Sequence, residues 1–155
     1  MHNDIAEILV SEAEIAEICT TLGARLTEDY KDKKPILVGL LKGCIPFMAD
    51  LTRKIDLKFD IAYMSVSSYH GGIASSGDVK IKMDLDISIK GRDVLIVEDI
   101  VDSGNTIEAI LKILKQEEVK SYKIATMFYK PLAFTKTYKI DYVGMEIEND
   151  FIVGY

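Results

Sequence analysis

Three carboxylates follow an apolar run in the middle of the chain and precede a polar turn. Glu98, Asp99 and Asp102 come after Val94-Leu95-Ile96-Val97 and lead into Ser103-Gly104-Asn105-Thr106. Carboxylates accept hydrogen bonds from sugar hydroxyls and bind divalent cations directly or through water. Backbone amides at the start of a helix bind phosphate. A ligand that carries both a sugar and a phosphate accounts for the whole segment.

The same residue types also have simpler uses. Asp102 or Ser103 can cap the helix that follows, because short polar side chains accept hydrogen bonds from first-turn amides. Glu98 and Asp99 can be solvated acids at the end of an ordinary strand. Spacing alone leaves these interpretations open beside the ligand site.

A buried strand and a helix must position these groups. The four apolar residues, three of them β-branched, are typical of a strand covered on both faces of a parallel sheet. The apolar pattern from Ile107 to Leu114 predicts a helix. Ligands of such sheets bind beyond the carboxyl ends of the strands. Because successive strand side chains point to opposite faces, Glu98 and Asp99 reach one ligand only if the strand ends or twists there.

Helices and strands alternate through the rest of the chain. The capping-box pattern Ser11-Glu12-Ala13-Glu14 and the apolar spacing after it predict a helix over residues 12–29. A second helix begins near Pro46 and runs to about Ile55. Strands are predicted at residues 36–41, 59–66, 79–83, 122–128, 141–147 and 151–153, with a Ser- and Gly-rich mobile flap at 67–78.

This order predicts an α/β fold with one domain over residues 1–155. We expect a mainly parallel sheet with helices on both faces, and right-handed crossovers that bring the turns to one edge.

The net charge of -6 and the three arginines argue against nucleic-acid binding. Apolar residues form no run of about 18, so we expect no membrane span. The start, Met1-His2-Asn3-Asp4, lacks the basic and apolar regions of a signal peptide, and there are only two cysteines, so we expect a reduced, cytoplasmic protein.

The segment from Glu98 to Thr106 resembles the phosphoribosyl-diphosphate signature of the type I phosphoribosyltransferases, in which two adjacent acids precede two apolar residues and an Asp-Thr-Gly-like turn. From about Ile8 onward the chain is most similar to the hypoxanthine-guanine phosphoribosyltransferases. The further matching motifs are Leu37-Val38-Gly39-Leu40-Leu41-Lys42-Gly43, Ser67-Ser68-Tyr69, Ser76-Gly77-Asp78-Val79-Lys80, Lys130-Pro131 and Asp141-Tyr142-Val143-Gly144. The resemblance implies the type I phosphoribosyltransferase fold with a small hood formed by the terminal segments.

The resemblance also implies a reaction and its partners. The 5-phosphoribosyl group of 5-phosphoribosyl diphosphate passes to a purine base, which gives a nucleoside monophosphate and pyrophosphate, with Mg²⁺ required. Hypoxanthine is the expected base, together with guanine. Relatives are commonly homodimers or homotetramers.

Roles for the signature residues follow from the same resemblance. Glu98 and Asp99 would hold the ribose hydroxyls and help to position magnesium. Asp102 would be the general base at the purine N7 atom. The backbone and hydroxyl groups of Ser103, Gly104, Asn105 and Thr106 would wrap the 5-phosphate, with Asn105 contributing only its backbone.

Three more segments of the chain match functional parts of the family. Leu41, Lys42 and Gly43 resemble the pyrophosphate loop, in which the family often has a cis peptide between the residues that match Leu41 and Lys42. Ser68 and Tyr69 match a pair on a flap that closes over the reaction centre. An ordinary strand-to-helix turn and an inert flexible loop are the alternatives for these two segments.

The third match lies in the C-terminal part of the chain and would supply the base-binding residues. Lys130 resembles the lysine that donates to the purine 6-oxo group. Phe151 resembles the aromatic residue that stacks on the ring, and Ile152 offers backbone contacts. Taken alone, a lysine is more often solvated at the surface and a phenylalanine more often lies in the core.

The chain departs from the family pattern in two places. It stops at Tyr155, where the family continues with a segment that supplies a metal-linked Asp and an Arg, and Leu132-Ala133-Phe134 stands where relatives commonly carry arginines. An inactive truncated paralogue is therefore one alternative, and another phosphoribosyltransferase of this fold is a second. A third is a regulator that binds phosphoribosyl diphosphate and RNA, as the pyrimidine operon attenuators do.

Overall fold

A computed structural model describes residues 7–67, 80–83 and 85–155 of this protein. These residues form a six-stranded sheet against which the helices pack. The described elements are α1 (Glu12–Asp29), β1 (Ile36–Leu40), α2 (Cys44–Thr52), β2 (Asp60–Ser67), β3 (Lys80–Met83), β4 (Asp93–Val101), α3 (Asn105–Gln116), β5 (Ser121–Tyr129) and β6 (Tyr142–Glu146). No described helix combines the length and apolarity needed to cross a membrane.

The strand order is β3-β2-β1-β4-β5-β6. Strands β2, β1, β4, β5 and β6 are parallel to one another, and β3 pairs antiparallel with β2 at the edge. The predicted mainly parallel sheet is therefore confirmed. Parallel pairing brings the turns after β1 and β4 to the same edge of the sheet, where the sequence motifs were expected to meet.

Helices cover both faces of this sheet, as predicted. Successive residues of β4 point in opposite directions, so Leu95 packs with Phe47 of α2 while Ile96 packs with Ile110 of α3. Helix α1 joins the cluster on the α2 side. The side chains of Val10 and Ile152, from the two terminal segments, pack against that same cluster, as a small hood requires.

Helix α1 has the predicted bounds because its cap is local. The Ser11 side chain accepts a hydrogen bond from the Glu14 amide, and the Glu14 carboxylate accepts one from the Ser11 amide. Both acids of the first turn also suit the positive end of the helix dipole. The capping box thus starts the helix at the residue that the sequence indicates.

The predicted end of one helix and one predicted strand were wrong. Helix α2 ends at Thr52, and residue 55 lies in the turns that follow. Residues 151–153 form no strand and pair with none of the described sheet. Strand β4 runs from Asp93 through the acids to Val101.

Candidate active site

The candidate site opens where β4 extends beyond its neighbour β1. The register of β1 with β4 ends at Gly39 opposite Val97, whereas β4 stays paired with β5 as far as Val101 opposite Tyr129. Residues 98–101 therefore have no strand on one side within the described sheet. A cavity of about 230 Å³ occupies this end of the sheet. Its lining residues are Leu40, Leu41, Glu98, Ile100, Val101, Asp102, Ser103, Gly104, Asn105, Thr106 and Ile107.

Glu98 and Asp99 come together at this opening although they are consecutive strand residues. The Glu98 side chain lines the cavity, while the Asp99 carboxylate lies against Gly43 so closely that a Cβ atom there would overlap it. Burial raises the pKa of Glu98 well above its usual range, and the Asp99 side chain raises it further. Burial, together with a smaller effect of the same two acids, raises the pKa of the Cys44 thiol to about 12.

The phosphate-type loop, which we define as residues 103–106, leads into α3, whose N-cap residue supplies no side-chain cap. The N-cap is Gly104, whose φ of 83° lies in the left-handed region that glycine adopts readily. Of the two capping alternatives, the one for Ser103 has support, because its hydroxyl accepts a long hydrogen bond of 3.5 Å from the Asn105 amide. First-turn amides and the positive end of the helix dipole also suit an anion.

The turn after β1 has the unusual backbone that the resemblance implied. The peptide bond between Leu41 and Lys42 is cis. Leu41 lines the cavity, and its amide donates to the Met64 carbonyl. Lys42 and Gly43 are exposed and lead directly into α2.

Lys130 is not a solvated surface lysine. It is buried, its Nζ donates to the Asp150 carbonyl at 2.8 Å, and the same atom lies 3.9 Å from Asp102 Oδ2. Its backbone amide donates to the carbonyl of Val101, which holds the ends of β4 and β5 together. Asp102 keeps an exposed side chain and lines the cavity, so an ammonium lies beside one acid of the lining.

The C-terminal candidates have different surroundings. Phe151 is 92% exposed, so the alternative that places it in the core is wrong. Ile152 is half-buried and packs against the α1–α2 cluster. Ser68 and Tyr69 lie outside the described residues.

Gly104 is crowded by residues from a later segment whose contact with this loop was not predicted from the sequence. Phe134, Lys136 and Tyr138 would all meet a Cβ atom at Gly104, and the Tyr138 hydroxyl donates to the Gly104 carbonyl. These residues lie more than one element further along the chain, so no local spacing signals the contact. Burial raises the pKa of Tyr138 above its usual range, which keeps the phenol a hydrogen-bond donor.

Comparisons with known proteins agree with this geometry. The family model described as phosphoribosyl transferase domain matches residues 6–155. A hypoxanthine-guanine phosphoribosyltransferase of Streptococcus pneumoniae is 50% identical over 155 residues, which cover 100% of this chain and 86% of that protein. A crystal structure of a Staphylococcus aureus hypoxanthine phosphoribosyltransferase superposes with a TM-score of 0.93 at 46% identity, over 100% of this chain and 84% of that one.

A more distant structure gives the same fold. It comes from a study of how the C-terminal region affects the oligomeric state and activity of Trypanosoma cruzi hypoxanthine phosphoribosyl transferase. It matches with a TM-score of 0.91 at 32% identity, over 100% of this chain and 85% of its own. The chain therefore belongs to the phosphoribosyltransferase family, among the hypoxanthine-guanine phosphoribosyltransferases.

Proposed function

We propose that this purine salvage phosphoribosyltransferase uses the cavity at the end of β4 to bind 5-phosphoribosyl diphosphate and a 6-oxopurine, hypoxanthine or guanine. One observation carries the proposal. A half-buried acid (Glu98), an exposed acid (Asp102) and the start of helix α3 line the same cavity, with Lys130 beside Asp102. The products are a nucleoside monophosphate and pyrophosphate.

The acids of β4 suit the sugar. Glu98 and Asp99 would accept hydrogen bonds from the ribose hydroxyls, and their oxygens are the ligands that Mg²⁺ prefers. The described residues contain no group of three or more His, Cys, Asp or Glu side chains that could enclose a metal. One or two carboxylates suffice where substrate phosphates and waters complete the shell. Bound magnesium would supply positive charge for the departing pyrophosphate.

The two phosphate groups of the substrate would meet different backbone segments. Residues 103–106 would hold the 5-phosphate through their amides and the hydroxyls of Ser103 and Thr106. The turn at Leu41, Lys42 and Gly43 would hold pyrophosphate. Because the Leu41 amide is already bonded to Met64, amide contacts there would come from Lys42 and Gly43.

Asp102 and Lys130 suit one edge of a 6-oxopurine. The O6 and N7 atoms of such a base are adjacent on that edge. An ammonium and a carboxylate 3.9 Å apart can donate to O6 and accept the N7 proton side by side. Adenine presents an amino donor in place of O6, so Lys130 would disfavour it. Phe151 would stack on the ring, and the backbone of Ile152 would contact its edge.

We propose that the active protein is a cytoplasmic homodimer or homotetramer with a single domain over residues 1–155. Cys19 and Cys44 are both free and buried, as suits a reducing compartment.

The test is nucleotide formation from 5-phosphoribosyl diphosphate, Mg²⁺ and one base at a time, using hypoxanthine, guanine, xanthine and adenine. We expect product from the 6-oxopurines and far less from adenine. Asp102→Asn keeps the shape of the side chain and removes its basicity, so kcat should fall by about 10² to 10⁴. The matched variant Asp56→Asn, exposed in the loop before β2, should keep full activity.

Two results would contradict the proposal. A loss of less than about threefold in Asp102→Asn would remove Asp102 from the role of general base. No nucleotide from any base, in a folded sample that still binds phosphoribosyl diphosphate, would favour a regulatory role for the cavity over catalysis.

A further inference from the structure

We propose that Tyr138 is a positioning residue for the phosphate loop, and that residues 134–138 form a backing segment that turns the loop amides toward the cavity. The inference rests on the proposed binding of the 5-phosphate by residues 103–106. It concerns side chains that touch no substrate and act through the backbone of Ser103 and Gly104.

The backing segment holds two consecutive carbonyl groups of the loop. The Tyr138 hydroxyl donates to the Gly104 carbonyl. Thr135 donates to the Ser103 carbonyl twice, from its amide at 3.5 Å and from its hydroxyl at 3.4 Å. Both carbonyls therefore point away from the cavity side of the loop and toward residues 134–138.

Peptide geometry converts these bonds into the orientation of two amides. In a planar trans peptide the C=O and the N–H of the next residue point in opposite directions. A carbonyl of Ser103 held from behind turns the Gly104 N–H forward, and a carbonyl of Gly104 held from behind does the same for Asn105. Gly104 and Asn105 both line the cavity. The backing segment thus presets the Gly104 amide for phosphate, while the Asn105 amide also makes a long contact of 3.5 Å with the Ser103 hydroxyl, which a phosphate oxygen would replace.

The backing segment is itself fixed to the rest of the fold. The Phe134 ring packs edge-on against Tyr129 of β5, with centroids 5.4 Å apart, and against Tyr138 at 5.3 Å. Lys136 Nζ lies 2.9 Å from the Glu108 carboxylate of α3. Contacts to both a strand and a helix give the hydroxyl of Tyr138 a defined position.

Tyr138→Phe is a sharp variant because it removes only the hydroxyl. The ring still packs against Phe134, and the Gly104 carbonyl still accepts from the Glu108 amide, so no buried carbonyl loses its last partner. We expect the Kd for ribose 5-phosphate and the KM for phosphoribosyl diphosphate to rise about 3- to 10-fold, as for one lost neutral hydrogen bond. The Kd for pyrophosphate and the KM for hypoxanthine should stay within twofold.

Tyr30→Phe is the matched control. It removes a buried tyrosine hydroxyl that has no hydrogen-bond partner among the described residues and lies outside the cavity lining. Equal ribose 5-phosphate binding in Tyr138→Phe and Tyr30→Phe would overturn the positioning role while leaving the proposed function intact. Parallel losses for ribose 5-phosphate, pyrophosphate and hypoxanthine would also overturn it, because a merely structural defect weakens every ligand.

Two further arms separate this inference from the proposed function. An unaltered protein that makes no nucleotide and binds no ribose 5-phosphate would overturn both. If Tyr138→Phe fails to fold, Thr135→Val decides the matter, because Thr135 is exposed and its amide remains. It should weaken ribose 5-phosphate binding about twofold and leave pyrophosphate unchanged, and an unchanged affinity for ribose 5-phosphate would overturn the inference.

Discussion

At the scale of single residues, the carboxylates of Glu98 and Asp99 interact although consecutive strand side chains point to opposite faces. Strand β1 has ended at this level, and the turn that follows it brings Gly43 against Asp99. Both acids therefore share the space beyond the end of β1. A partly desolvated acid beside another acid is destabilising for the empty protein, as is common at binding sites.

We predict that the Glu98→Gln variant becomes increasingly more stable than the unaltered protein as pH rises, when both are free of ligand and metal. The folded-state pKa of Glu98 is raised above the usual 4.5, so its contribution to stability is complete below that pH. It is lost as pH rises through the raised folded-state pKa. The difference in Tm, variant minus unaltered protein, should therefore grow from pH 4.5 upward, by about 2–4 °C for each kcal/mol.

Thermal melts followed by circular dichroism with a chelator present, from pH 4.5 to 8.5, measure this difference. Glu117→Gln, exposed at the end of α3, is the matched control and should show no such trend. A Tm difference for Glu98→Gln that stays flat or shrinks with pH would show that Glu98 is not held neutral in the folded protein.

At the scale of elements, α1 and α3 begin differently, because the start of α1 has a structural role and the start of α3 has a proposed binding role. Helix α1 begins with a complete capping box from Ser11 and Glu14. Helix α3 begins at Gly104, which has no side chain, and its Asn105 amide makes only a long contact of 3.5 Å with the Ser103 hydroxyl. The capping box stabilises α1, whereas the weaker cap of α3 suits the phosphate that we propose it binds.

Ser11→Ala should destabilise the protein by about 1 kcal/mol through the loss of one helix cap. The Tm should fall by about 2–4 °C, since the chain is of moderate length. Transferase activity below the melting range should be unchanged because Ser11 lies outside the cavity. Ser11→Asp supplies another good cap and should recover most of the loss. An equal fall in both variants would mean that the side-chain cap contributes nothing.

At the scale of the whole molecule, one sheet joins two hydrophobic clusters. Leu51 is fully buried on the α1–α2 face, and Ile110 is fully buried on the α3 face. Neighbouring residues of each central strand belong to different clusters. If the packing on one face is lost, the strands that the other cluster packs against are therefore disturbed as well. This arrangement predicts a single cooperative unfolding transition.

Leu51→Ala and Ile110→Ala should each cost about 2–5 kcal/mol, as large-to-small changes in a core do. In urea, circular dichroism and tyrosine fluorescence should report the same midpoint in each variant. Leu132→Ala, at a side chain that is 75% exposed, is the control and should move the midpoint little. Two separate midpoints in either core variant would show that the faces unfold independently.

The elements that could be predicted from the sequence are those whose patterns lie within a short stretch of residues. The capping box, the apolar run of β4 and the acid-rich turn after it predicted α1, the central strand and the loop that starts α3 with few errors. Helical hydrogen bonds join residues about four positions apart, so their signals lie within one window of sequence. The family motifs in this segment indicated the family for the same reason.

Contacts between groups far apart in the chain could not be predicted from the sequence. Register between β4 and β5 brings Lys130 beside Asp102, and an aromatic segment after β5 brings Tyr138 to Gly104. The tertiary structure also left residues 151–153 without a strand partner among the described residues. Sheet register and the packing of loops depend on the entire core, so no window of sequence contains them.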